Sequence, residues 1–152
     1  MKKILDIIKI KFQFLEKKFN YTKVDDIYGK NIGAEYKYAK IYYNDLLTQK
    51  LSVVYYDKNP VKKEETKEIA FQIIIFKNGN HLDFSRLLKS NTTFSKYYKY
   101  QYFILSYDDE NQKIDIANNF LELISKEIFH NQYKIISGKD WIDIDYNLRD
   151  DY

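Results

Sequence analysis

The chain contains no cysteine, one proline, one tryptophan, four glycines and two histidines in 152 residues. Without cysteine there is no disulfide framework, no thiolate metal site and no cysteine nucleophile, and a reducing compartment is the natural setting. Long apolar runs are missing too: nothing approaches the roughly 18 uninterrupted apolar residues of a membrane span. The opening "MKKILDIIKIKFQFLEKKF" resembles a secretion signal only at first, because Asp6, Lys9 and Lys11 break its apolar run and no small-residue cleavage site follows. A cytoplasmic protein with no membrane partner is expected.

The scarcity of histidine bears on catalysis. His81 lies in "NGNHLDF", where Asp83 is placed to orient it, but no nucleophile or second carboxylate accompanies the pair. His130 falls at the end of a helical stretch, where an imidazole suits the free carbonyls. A three-ligand zinc site needs more His or Cys than the chain holds. "DWIDIDYNLRDD" lacks the spacing and central glycine of a calcium-binding loop, and "SGKD" and "YGKNIG" lack the glycine spacing of a phosphate-binding loop. No catalytic residue, metal ligand or cofactor follows from the sequence, and a non-enzymatic protein is expected.

With 45% hydrophobic and 31% charged residues, the composition is that of a globular domain, and residues 1–152 are read as one domain. Met1, Leu5, Ile8, Phe12, Leu15 and Phe19 recur every three or four positions and predict an amphipathic helix over the first twenty residues. Its six lysines against Asp6 and Glu16 make it basic, which suits a core-packed helix, a membrane surface or a partner grip. Between residues 34 and 76 the period changes to two, predicting three strands in an antiparallel meander. "KNGN" marks the next turn and "HLDFSRLLKS" reads as a short helix capped near Asn80. Residues 96–107 read as a further strand. Ile114, Ala117, Leu121, Ile124 and Ile128, flanked by Phe120 and Phe129, predict a helix over 112–130, and a terminal strand is expected near 140–146. The fold class is therefore α+β: a mostly antiparallel sheet of four to five strands, with the N-terminal helix and the second long helix packed on one face.

Sixteen tyrosines stand out against these shortages. Five fall within "SKYYKYQYFILSYDDE", residues 95–110. As a strand this places Tyr98, Tyr100 and Tyr102 on one side, while Tyr36, Tyr38 and Tyr42 form a similar row on the first predicted strand. Together they predict a broad aromatic face, since tyrosine supplies a large rigid contact with few rotatable bonds. The same residues also serve as half-buried sheet positions that pair across strands. Charge is segregated as well: residues 140–152 hold five aspartates and one arginine, for −4. There Asp140, Trp141, Asp143, Asp145 and Tyr146 form a candidate anionic edge with aromatic anchors.

In the order of "FLEKKFNYTKV", "KIYYNDLLTQKLSVVYYD" and "EIAFQIIIFKNG" followed by two helical stretches, the chain resembles small single-domain bacterial immunity proteins of polymorphic and contact-dependent toxin systems. The resemblance covers size and element order over residues 1–130 and carries no diagnostic motif. It implies a cytoplasmic protein that binds a cognate toxin domain tightly and blocks its active site or substrate entry. The acidic edge or the tyrosine face is the expected binding surface. The alternative is a single-stranded nucleic-acid-binding protein that stacks bases on the tyrosines. A net charge of +3 and a pI near 8.7 are low for that role. An uncovered tyrosine face also suits a homodimer.

Overall fold

The computed structural model describes residues 2–32, 35–58, 71–84 and 109–139. The predicted first helix forms as α1 (Lys2–Lys11) and α2 (Phe14–Lys18), with Ile4, Leu5, Ile8, Phe12 and Leu15 buried along one side. Between them the backbone tightens, the Leu15 N–H donating to the Phe12 carbonyl three residues back. A strict 3.6-residue path is thereby broken, and Phe14 is left only partly buried at the core's edge, its ring 5.8 Å from that of Phe12.

Five strands follow: β1 (Lys23–Ile32), β2 (Glu35–Asn44), β3 (Gln49–Lys58), β4 (Phe71–Lys77) and β5 (Asn80–Asp83), each antiparallel to the last in the order of the chain. The sheet and its helices make an α+β fold. β1 was not expected from the sequence, because "KVDDIYGKNI" is polar and contains a glycine. It is an outer strand with most side chains in solvent, and an outer strand needs little apolar content. Opposite Tyr38 it bulges: Ile27 pairs with Ala39 and Lys30 with Lys37, leaving Tyr28 and Gly29 facing one residue. Gly29 takes φ +65°, the left-handed conformation such a bulge requires.

The short helix expected from Asn80 is replaced at its start by β5. Asn78 and Gly79 adopt φ 49° and 82°, a primed two-residue turn whose twist matches an antiparallel pair. Asn80 then returns beside Lys77 and Leu82 beside Ile75. Cross-strand pairing thus overrides a weak helical pattern. Residues 85–90 of the expected helix, the strand at 96–107 and the terminal strand at 140–146 lie outside the described residues.

Directly paired residues share a sheet face, so register shows which side is covered. Tyr38, Tyr55 and Phe71 are opposite one another, as are Tyr42, Leu51 and Ile75. All six are buried in the core with α1 and with α3 (Glu110–Asn131). α3 begins at Asp109, whose side chain accepts from the Asn111 N–H. Its inward side holds Ala117, Phe120, Leu121, Ile124 and Ile128. The short α4 (Tyr133–Ile136) closes the end of the molecule, with Ile135 and Ile136 buried.

Candidate partner-binding groove

The tyrosine row on β2 has the opposite orientation to the one a binding face requires. Tyr38 and Tyr42 are buried and Tyr36 packs against the same core, so this row is structural. Alternation correctly put Lys40 on their side; its ammonium escapes at the sheet margin to Asp26, 2.7 Å away. An aromatic chain runs through the layer, Tyr28 edge-on to Tyr38 at 5.4 Å, Tyr38 to Tyr55 at 6.3 Å, Tyr55 to Phe71 at 5.0 Å and Phe71 stacked on Phe120 at 5.1 Å. Tyr98, Tyr100, Tyr102, Asp140, Trp141, Asp143, Asp145 and Tyr146 lie outside the described residues.

His81 is an exposed strand residue on β5, its ring 6.1 Å from Phe76. Asp83 follows two positions later on the same sheet face, as strand alternation dictates. His130 is exposed and lies edge-on to Phe129. Among the described residues no group of three or more His, Cys, Asp or Glu side chains is arranged to hold a metal ion. Nor is any helix among them long and apolar enough to cross a membrane.

Titratable groups inside the core serve packing. Lys113 donates to Asp57 at 3.0 Å with both side chains largely buried, and the Tyr55 hydroxyl approaches the same carboxylate oxygen at 3.4 Å. Burial, reinforced by Asp57, pushes the Tyr55 phenol far above its ordinary range. Burial does the same to Tyr21 and Tyr42, helped at Tyr42 by Glu16 and Asp26.

The feature that faces solvent is a groove of about 360 Å³ between the α1–α2 corner and the outer side of α3. The turn at Phe12–Gln13 makes one wall by sending Phe14 across to Phe129 of α3, at a ring distance of 5.3 Å and a steep angle. Phe19 joins them, edge-on to both. Ile10 stands at the mouth with 60% of its surface in solvent, large for an isoleucine on a helix whose Ile4, Leu5 and Ile8 are buried.

Charge encircles this apolar floor. Glu122 binds Lys11 of α1 at 2.5 Å and Lys126, one turn on, at 2.8 Å. Those two ammoniums hold its carboxyl down at about 2, the bond from Lys11 being the larger cause. Lys18 lies on the opposite side, its ammonium 5.1 Å from the centre of the Phe129 ring. The rim therefore carries three cations and one carboxylate that two of those cations already neutralise. None of these residues stood out as a site in the sequence. Lys11 and Lys18 read there as part of a basic helix, and Phe129 as a flank of another.

No family model matches the chain, and no curated protein or solved structure matches it either. What the described residues define is an antiparallel meander covered by helices, with an open, cation-rimmed aromatic groove between them.

Proposed function

We propose that this chain is a non-enzymatic protein-binding domain, and that it acts as an immunity protein, binding a cognate toxin domain and neutralising it. The observation that carries the binding role is the groove at Ile10, Phe14 and Phe129: an aliphatic side chain held in solvent beside an aromatic floor, on a helix whose Ile4, Leu5 and Ile8 are buried in the core. Exposed apolar residues inside a polar rim are the usual composition of an interface centre. The size and element order of the chain support the narrower toxin-neutralising role.

The single-stranded nucleic-acid reading loses support from the burial of Tyr38 and Tyr42, which removes the β2 row from any stacking surface. The test is a nuclease-treated pull-down in high salt with wild-type and Ile10→Asp baits. One stoichiometric partner held by the wild type and released by the variant is the expected result. Adding the purified wild-type chain should then abolish the partner's own toxicity or enzymatic activity. A captured partner whose activity is unchanged would reject the neutralising role, and loss of all bound material on nuclease treatment would favour nucleic acid.

A further inference from the structure

The groove also specifies the chemistry of what it binds. We infer that it takes an acidic segment of a partner protein that inserts one aliphatic or aromatic side chain between Ile10, Phe14 and Phe129; this rests on the protein-binding reading above.

Two observations lead there. The first is charge. Among the described residues Lys11, Lys18 and Lys126 surround the opening and Glu122 alone opposes them, so an incoming carboxylate meets a net positive rim. Lys18 is exposed and Lys126 has about two-thirds of its side chain in solvent, while Lys11 is mostly covered. A partner carboxylate thus meets Lys126 and Lys18 first, and Lys11 stays with Glu122. The lysines of α1 and α2 extend the same field, with Lys3, Lys9 and Lys17 exposed.

The second is shape. The floor is built from rings whose packing is already fixed: Phe14 and Phe19 both meet Phe129 edge-on. A preformed pocket of this kind accepts an anchor without first reordering, which favours one inserted side chain over a broad flat contact. The anchor would bury the exposed face of Ile10, and the flanking acids would reach Lys18 and Lys126. A basic segment would set its cations against three ammoniums. An anionic membrane offers the same charge, but a concave site about 360 Å³ in volume suits an inserted side chain better than a headgroup plane.

The experiment titrates isotope-labelled whole protein with three short synthetic peptides of equal length, each with a central leucine flanked by aspartates, by serines or by lysines. The aspartate peptide should shift the amide signals of Ile10, Gln13, Lys126 and Phe129, and the other two should not. The double variant Lys18→Glu/Lys126→Glu should weaken that binding at least about tenfold, and Ile10→Asp should weaken it as well, both variants keeping the wild-type far-ultraviolet spectrum. Equal binding of all three peptides, or shifts confined to another surface, overturns the inference. So does binding of phosphatidylserine vesicles by the wild type with no response to the aspartate peptide. If the double variant captures the same lysate partner as the wild type, the acidic-segment inference fails while the protein-binding reading stands. Capture of no partner by either bait would sink both.

Discussion

The hydroxyl of Tyr21 donates to the carbonyl oxygen of Ile136 over 2.9 Å, inside the core and across 115 positions of sequence. Gln49 donates to the neighbouring Ile135 carbonyl at 3.1 Å. The Ile135 carbonyl also accepts from the Gly138 N–H at the end of α4, so Gln49 is its second donor, while Tyr21 reaches the Ile136 carbonyl from outside the helix.

Tyr21→Phe should therefore lower stability by about 1–2 kcal/mol, the cost of leaving a buried carbonyl without its donor. Chemical denaturation measures it, and amide exchange should show α4 opening before the sheet.

Lys113→Met should cost more. The variant removes the Lys113 ammonium from the largely buried Asp57 carboxylate, a change worth about 3–5 kcal/mol where that cation carries most of the compensation. Replacing both residues, Asp57→Leu with Lys113→Met, should recover part of that loss in a thermal melt. Failure to recover any would mean that Asp57 is held mainly by its other neighbours.

Glu122 makes stability pH-dependent in a defined direction. Its carboxyl titrates near 2 in the folded protein against an ordinary value of 4.5, so the charged form contributes stability that is present above 4.5 and lost as pH falls toward 2. Glu122→Gln should flatten the stability profile across that window. The effect should be small and should shrink with salt, because 37% of the side chain remains in solvent.

At the alkaline end, Tyr21, Tyr42 and Tyr55 behave alike. Burial holds their phenols above the ordinary 10.0, so the unfolded chain ionises first and stability falls as pH climbs past 10. Phenolate absorbance should show these three appearing only with unfolding. Tyr42→Phe should be neutral or stabilising, since the buried Tyr42 hydroxyl has no hydrogen-bond partner among the described residues.

Much of the fold is legible in periodicity. The i, i+3, i+4 spacing of Ile8, Phe12 and Leu15 and of Ala117, Leu121 and Ile124 specifies buried helix faces, and the β-branched runs of β3 and β4 specify central strands. Outer strands are harder, because β1 exposes most of its side chains and needs no apolar alternation. Alternation on β2 also says which tyrosines travel together but not which side the helices cover. Lys40 among them suggests solvent, yet its stem is buried and only its tip reaches Asp26. The groove was illegible for a different reason: Ile10 and Phe129 meet only through tertiary packing, and no local pattern brings residue 10 beside residue 129.

That distance along the chain has a consequence for timing. The meander pairs each strand with the one made just before it, so the sheet can assemble as synthesis proceeds. The groove cannot. One wall comes from Ile10 to Phe19 and the other from Glu122 to Phe129, so the groove is complete only once α3 has been made. Under the proposed role, a partner seated there would pass over nascent chains whose α3 has not yet emerged.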